Sequence, residues 1–186
     1  MTEPMDLTPS IEAAAVLALV ASTRDDASDL SDLALLHVGC GEGVHARQLA
    51  HSFRRVTALD SDFDKIMRLS QSADLANLKL ACDDMRIMDI SNGGPERKDP
   101  VLYDVVLCLA GAIGYMLTLE DLTLAVLSMT AHLVSSGVLI LEPNLTHFGQ
   151  EQFGEVLLDA GLDVTYNPSG LSPQSHGVYY GIKPAD

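Results

Sequence analysis

The feature that most constrains the fold is an apolar run that ends in three glycines at alternate positions. Residues 33–38 are apolar except for His37, and Gly39, Gly41 and Gly43 follow directly. Apolar residues with helical spacing begin immediately after the third glycine. This pattern predicts a buried strand, a tight turn and a helix N-terminus, and such a turn brings bare backbone against a small polar ligand.

The remaining chain alternates between strand and helix patterns. Further apolar runs predict strands at 55–59, 78–81, 103–109 and 138–141, with helices at 43–53, 63–76 and 119–134. Two closing strands, 162–166 and 178–182, have no helix between them and are therefore expected to pair antiparallel. We predict an α/β, Rossmann-like three-layer sandwich with a mostly parallel seven-stranded sheet and one antiparallel C-terminal strand.

This pattern predicts one domain over 1–186, with an N-terminal helix and loop over 1–32 and the Rossmann-like core over 33–186. Lys and Arg total 11 and Asp and Glu total 26, which gives a net charge of −15. That charge opposes a phosphate backbone or an anionic bilayer, so neither nucleic acid nor a membrane is an expected partner. The longest apolar stretch, 11–21, is too short to span a bilayer, and the acidic first residues do not resemble a signal peptide.

The cysteines and histidines lack the spacing of a metal site, so no metal is predicted. The three cysteines, Cys40, Cys82 and Cys108, have no C-x-x-C spacing and are expected to be buried free thiols. Thiols of that kind favour a cytoplasmic location.

Two ligands are compatible with the glycine turn. A dinucleotide site requires G-x-G-x-x-G, but Val44 stands where the third glycine belongs, and Glu42 in the turn opposes an anion. S-Adenosylmethionine carries no phosphate and tolerates acidic neighbours. Asp60, at the end of the second predicted strand, can accept both ribose hydroxyl protons, although its geometry also suits a helix N-cap.

Several segments in order resemble motifs of one family. The glycine turn with His45 resembles motif I, Asp60 matches the ribose-binding acid, and 84–86 (Asp-Met-Arg) resembles the adenine-side segment. The later segments 103–109, 113–115 (Ile-Gly-Tyr) and 139–143, which ends in Glu-Pro, complete the set. The chain thus resembles the class I S-adenosylmethionine-dependent methyltransferases, and its motif set is most similar to small-molecule members of the amino-sugar N-methyltransferase type.

The resemblance implies a methyl transfer from S-adenosylmethionine to an amine or hydroxyl of a small metabolite. It implies that Asp84 accepts from the adenine amino group while the Met85 amide reaches the ring, with Asp83 as an adjacent candidate. The full implied cofactor set is His37, Gly39, Cys40, Gly41, Gly43, Asp60, Ser61, Asp83, Asp84, Met85, Leu109 and Ala110.

The chain departs from the family pattern at two places. His37 stands where an acidic residue is common, and only 144–150 separate Pro143 from the next helix, where the sugar-modifying relatives carry a substrate-covering insertion. An open pocket is therefore expected unless a second copy in a homodimer, or a partner chain, covers it.

No clear general base follows from the residues. The catalytic candidates are Tyr115, Glu142 and His147, each with an equally good structural or surface role, and His45 is expected to be a packing or capping residue. The first alternative function is therefore a non-catalytic cofactor-binding partner or regulatory subunit. The second is a nicotinamide-dependent oxidoreductase.

Overall fold

A seven-stranded sheet forms the centre of the molecule. The computed structural model describes residues 8–24, 29–72, 74–90, 101–143 and 147–185. The strands are β1 (Ala34–Val38), β2 (Arg55–Asp60), β3 (Leu78–Cys82), β4 (Tyr103–Cys108), β5 (Leu133–Leu141), β6 (Asp163–Asn167) and β7 (Val178–Ile182). The helices are α1 (Thr8–Ser22), α2 (Val44–Leu49), α3 (Phe63–Ser72), α4 (Leu119–Ala131) and α5 (Gln150–Asp159), with 3₁₀ turns at Leu30–Asp32 and Ala112–Tyr115.

The strand order is β3-β2-β1-β4-β5-β7-β6. The pairs from β3 to β5 are parallel, whereas β7 runs antiparallel to both β5 and β6. The predicted fold class, with its single antiparallel C-terminal strand, is confirmed. The strand order reverses between β1 and β4, and ligands of such sheets bind at the carboxyl edge beside that switch point.

Helices cover both faces of the sheet, which explains why β1 is apolar at every position except His37. All five residues of β1 are buried. One core cluster joins α1, α2 and α3 to the sheet through residues such as Val16, Leu49 and Leu69. The other joins α4 and α5 to the opposite face through residues such as Leu122 and Phe153. The core therefore lies in two layers on either side of the strands.

The predicted end of the fourth helix was wrong. Helix α4 ends at Ala131 rather than at residue 134, and β5 begins at Leu133. The cause is pairing with β4: the Tyr103 amide donates to the His132 carbonyl at 2.8 Å, and Leu133 is in register with Tyr103. Local helix propensity therefore yields here to a long-range ladder.

Two other helices are shorter than predicted. Helix α2 ends at Leu49 and α3 at Ser72, rather than at residues 53 and 76. Beyond α2, the Asn77 side-chain amide donates to the carbonyls of Ala50 and Phe53 at 2.7 and 2.9 Å. A tertiary contact thus satisfies carbonyls that a longer helix would have used.

The expectation of three buried thiols is right for two of them. Cys40 and Cys108 are buried, and burial raises the pKa of each thiol to about 12. Cys82 is exposed, because it ends β3 at the edge of the sheet. The acidic first residues and part of the 144–150 connection lie outside the described residues. No helix in the described part of the chain combines the length and apolarity needed to cross a bilayer.

Candidate functional site

A cavity of about 660 Å³ opens at the carboxyl edge of the sheet, beside the switch in strand order. Its volume falls within the range of roughly 300–1,000 Å³ typical of small-molecule sites. Every residue of the predicted cofactor set lines it except Gly43. The wall also holds residues that the motifs did not indicate, among them Pro9, Lys65 and Met116.

The glycine turn is shaped by close contacts with two other elements. Gly39 has φ +67°, and a Cβ there would stand 2.5 Å from the Cβ of Ala112. Gly43 has φ +73°, and a Cβ there would stand 2.4 Å from Leu69 of α3. Both positions therefore require glycine. Gly39 brings the turn against the loop after β4, whereas Gly43 packs on α3 and does not reach the cavity wall.

Asp60 closes the turn from the end of β2. Its Oδ2 accepts the Gly41 amide at 2.8 Å, and its Oδ1 accepts the Asp62 amide at 3.0 Å. The residue is only 8% exposed and lines the cavity. Each carboxylate oxygen has two lone pairs, so one acceptor position remains on each. Asp60 therefore combines the turn-supporting contact with capacity for a pair of hydroxyl groups.

The adenine-side segment is held by a charge cluster that the sequence did not reveal. Arg86 binds Asp84 at 2.6 Å and Asp121 of α4 at 2.7 Å. Hydrogen bonds from Arg86 hold the pKa of Asp84 below its ordinary value. Asp83 accepts backbone amides from Asp84 at 2.8 Å and from Asp89 at 3.1 Å. The sequence predicted that the Asp-Met-Arg segment contacts a ligand. In the structure, the ion pair between Arg86 and Asp121 also fixes this segment to α4.

His37 is a buried polar residue in the wall of the cavity. It is 2% exposed, and its Nδ1, which is itself shielded, has no hydrogen-bond partner among the described residues. Desolvation by burial, with a smaller contribution from the nearby His45, lowers the pKa of His37 to about 3. The ring is therefore neutral at physiological pH. Because Nδ1 is itself shielded from the cavity, its missing partner is a desolvation cost and does not indicate a ligand contact.

The negative charge of Glu42 repels an anion less than the sequence indicated, because it is paired with a cation. Its carboxylate pairs with Arg68 of α3 at 2.9 Å on the surface. A hydrogen bond from Arg68 lowers the pKa of Glu42 below its ordinary value. A neighbouring cation thus offsets the charge that we expected to repel a pyrophosphate. The absent third glycine at Val44 remains the stronger argument against a dinucleotide.

The three catalytic candidates are not brought together. Tyr115 lines the cavity but is 79% exposed. Glu142 is buried: its Oε2 accepts the Ala110 amide at 3.0 Å, and its Oε1 accepts the Ser175 hydroxyl. His147 is exposed and is not among the residues that line this cavity. Within the described residues, no group of three or more His, Cys, Asp or Glu side chains is arranged to hold a metal ion.

A polar contact that the sequence did not predict involves His45 of the cavity wall. Glu12 of α1 contacts His45 Nε2 through its Oε2 at 2.8 Å, and its Oε1 accepts the Ser172 hydroxyl at 3.0 Å. The His45 ring also meets His37 edge to face, with ring centroids 6.0 Å apart. No regular spacing links residues 12, 45 and 172, so no sequence signal could have found this group.

Comparisons with known proteins place this geometry in context. No family model matches the chain. It is 29% identical over 132 residues to a dTDP-4-amino-2,3,4,6-tetradeoxy-D-glucose N,N-dimethyltransferase from Saccharopolyspora spinosa, covering 71% of this chain and 47% of the relative. It is 30% identical over 114 residues to a ubiquinone biosynthesis O-methyltransferase from Rickettsia typhi, covering 61% of this chain and 42% of the relative. The chain thus spans about half the length of the curated relatives it matches.

The fold is shared with solved methyltransferases. The structure superposes on that of an amino pentose methyltransferase from Micromonospora echinaspora with bound S-adenosylmethionine (SAM), with a TM-score of 0.78 and 23% sequence identity. The match covers 92% of this chain and 90% of that one. The fold is therefore that of the class I methyltransferases. The homologues are sugar N-methyltransferases and an O-methyltransferase, so the resemblance inferred from the motifs is confirmed.

Proposed function

We propose that this protein is an S-adenosylmethionine-dependent methyltransferase that acts on an amine or hydroxyl of a small metabolite in the cytoplasm. The observation that carries the proposal is the contact between Asp60 and the Gly41 amide at 2.8 Å, in the wall of a 660 Å³ cavity. That contact places an acidic acceptor beside a glycine turn, as a ribose with two free hydroxyls requires.

The residues present fit the proposed cofactor. Asp60 keeps one free acceptor position on each oxygen for the ribose. Met85 lines the cavity between Asp84 and the turn, with its methyl carbon 3.6 Å from the position of a Cβ on Gly39. His37, whose ring is neutral, lies in the same cavity wall.

When bound, S-adenosylmethionine supplies an already activated methyl group, so the chain contributes mainly position. Asp60 would hold the ribose and Met85 would pack against the nucleoside, while the loop from Ala110 would border the space left for the acceptor. Ala110 has φ +52°, a conformation that the hydrogen bond from its amide to Glu142 maintains.

A non-catalytic partner or regulatory subunit is the second candidate. The short connection after Pro143 and the high exposure of Tyr115 at the cavity mouth favour it. Exposed Ile87 and Leu117 are next in the chain to wall residues, so a second copy of the chain or a partner chain is a candidate cover. Light scattering of the purified chain, alone and with cofactor, tests for a homodimer.

Titration and turnover separate the candidates. We expect S-adenosylmethionine and S-adenosylhomocysteine to bind in a calorimeter and NAD not to bind. The purified chain should then release S-adenosylhomocysteine with a panel of free and dTDP-linked amino sugars and their hydroxyl counterparts. Binding without any turnover favours the regulatory subunit. Tight NAD binding without binding of S-adenosylhomocysteine overturns the proposal.

A further inference from the structure

Another cavity, of about 290 Å³, is lined by β2, β3 and the start of β4. Arg55 and Thr57 of β2 and Lys79 of β3 lie in its wall. Thr57 and Lys79 are register partners, and Arg55 stands two residues before Thr57, so all three side chains leave the same face of the sheet. Two cations thus share one wall in a chain that has only 11 Lys and Arg residues and a net charge of −15. The function proposed above uses none of these groups.

The Thr57 hydroxyl is a buried donor in this wall. It is 4% exposed, and its Oγ1 accepts the Tyr103 hydroxyl at 3.0 Å. A threonine hydroxyl can accept and donate at once, so its own proton remains available. Within the described residues, no acceptor takes that proton. A ligand oxygen in the cavity would supply the missing acceptor.

Arg55 is held in place but keeps donors free. Its guanidinium carbon lies 5.1 Å from the centre of the Tyr103 ring, and its Nη2 donates to the Leu102 carbonyl at 3.4 Å. Its Nη1 has no hydrogen-bond partner among the described residues and, unlike Nε, is not shielded. No ion pair formed within the described part of the chain includes Arg55 or Lys79. A guanidinium fixed in this way, with free N–H groups, is suited to an oxyanion.

The carboxylates of this cavity lie at its other end. Asp83 directly follows β3, whereas Lys79 is the second residue of that strand. At about 3.3 Å of rise per residue, the two positions are separated by about 13 Å along the strand. Asp89, the other carboxylate in the wall, donates its amide to Asp83 at 3.1 Å and therefore lies at the same end. The cavity is thus cationic beside Arg55 and anionic beside Asp83.

This cavity adjoins the main one on the side predicted for adenine. Asp83 lines both cavities. The loop from Ala110, which would border the methyl acceptor, lines the main cavity and is not part of this one. A ligand held by Arg55 would therefore be a molecule other than the acceptor.

We propose that the cationic end of this cavity is a second ligand site, which binds the phosphoryl group of a small molecule through Arg55, Lys79 and Thr57. The three side chains offer donors that the described residues leave free, and a phosphoryl group has three acceptor oxygens to receive them. A carboxylate has only two oxygens and would leave one of these side chains without a partner. The proposal goes beyond the methyl transfer proposed above and does not depend on it.

Calorimetric titration with inorganic phosphate and with glycerol 3-phosphate, at constant ionic strength, tests the site. We expect Arg55→Gln to weaken binding at least about 10-fold, because charge-assisted hydrogen bonds are lost. Arg54→Gln is the matched control, since it removes the same charge from an exposed neighbour outside the cavity. Its Kd should stay within about 2-fold of the wild-type value, because solvent and salt screen a distant charge. Equal weakening by both variants, or no binding to the wild-type chain, overturns the proposal.

A second variant keeps the test independent of folding. Lys79 is exposed on β3, so Lys79→Gln should unfold at the same temperature as the wild type and should bind phosphate at least about 3-fold more weakly. A folded Lys79→Gln variant with wild-type affinity overturns the site. Tighter binding of glycerol 3-phosphate identifies the ligand as a phosphate ester, and equal Kd values identify free phosphate. Both results support a phosphoryl site.

Competition separates this site from the main cavity. Phosphate should bind with an unchanged Kd when S-adenosylhomocysteine is present at saturation. Displacement of phosphate by S-adenosylhomocysteine would place the anion in the main cavity and overturn the proposal. If S-adenosylhomocysteine does not bind at all, the proposed methyl transfer fails, whereas the comparison of Arg55→Gln with Arg54→Gln still decides the phosphoryl site.

Discussion

Asp60 serves the turn and the cavity with one carboxylate. Its two backbone contacts, to the amides of Gly41 and Asp62, hold the side chain in a single orientation. A ligand hydroxyl therefore meets an acceptor that is already in place, so binding loses little side-chain entropy. The predicted helix-cap alternative for Asp60 is wrong, because Asp62 Oδ1 accepts the Asp64 and Lys65 amides of α3, at 3.0 and 3.2 Å.

We expect Asp60→Asn to weaken binding of S-adenosylhomocysteine by about 1–3 kcal/mol, as for the loss of a hydrogen bond to a charged acceptor. The Asn side chain has an NH₂ group in place of one carboxylate oxygen. That group donates hydrogen bonds, whereas the backbone amides and the ribose hydroxyls both need an acceptor. Isothermal titration calorimetry measures the change. Asp163→Asn at the far edge of the sheet should bind as tightly as the wild type, and an unchanged affinity in Asp60→Asn would remove Asp60 from the site.

His37 predicts a pH dependence of stability. Burial lowers its folded-state pKa to about 3 from 6.5, so the unfolded chain binds the extra proton between these values. Above pH 6.5 the titration of His37 does not change the free energy of unfolding. Below that pH the free energy of unfolding falls, by up to about 1.4 kcal/mol per pH unit, because the unfolded chain takes up the proton and the folded chain does not.

The comparison of wild type with His37→Asn isolates this effect. Urea unfolding at pH 6.5, 5.5 and 4.5 should show a shallower loss of stability in the variant. Acid titration of the carboxylates is common to both proteins and cancels in the difference. If the unfolding free energies of the two proteins changed in parallel with pH, His37 would have the same pKa in the folded and the unfolded chain.

At the scale of elements, the turn between β1 and α2 depends on what its glycines touch. Gly39 and Gly41 both have positive φ, at +67° and +56°. A Cβ at Gly39 meets Ala112 at 2.5 Å, whereas a Cβ at Gly41 meets nothing within 4 Å. Both glycines therefore have a left-handed backbone conformation, but only Gly39 is also packed closely against another residue.

Alanine substitutions at these two positions separate strain from steric contact. Gly41→Ala should cost about 1–2 kcal/mol of unfolding free energy, the usual penalty of a left-handed residue. Gly39→Ala should cost clearly more, because the turn and the loop after β4 must also move apart. Thermal and urea unfolding measure both variants. A smaller loss at Gly39 than at Gly41 would contradict the close approach of the two loops.

The elements themselves show what could be predicted from the sequence. The presence of seven strands, their mostly parallel pairing and the roles of Gly39 and Asp60 in the turn were predicted from local apolar runs and from motif spacing. The early end of α4 and the early start of β5 did not, because pairing of Leu133 with Tyr103 decides them. Arg86 bridging to Asp121, and Glu12 contacting His45, join residues whose separation carries no periodic signal.

The whole molecule carries a net charge of −15, and several carboxylates surround the main cavity. Self-repulsion of this kind destabilises the compact state, and salt screens it. We expect the Tm to rise as NaCl is added, by about 2–4 °C for each kcal/mol of repulsion relieved. Differential scanning calorimetry at several NaCl concentrations tests this, with sucrose at matched osmolality as control. A constant or falling Tm would show that the surface charges are already balanced locally.

The contacts of Glu12 also set the order in which the protein is completed. Its two partners lie 33 and 160 residues further along the chain. A ribosome makes α1 first, and the Ser172 hydroxyl that pairs with Glu12 follows 160 residues later. Strand β7 is made after Ser172, although it lies between β5 and β6 in the sheet. A nascent chain stalled before residue 172 would therefore have the glycine turn and β1 to β6, but would lack both β7 and the hydroxyl that pairs with Glu12.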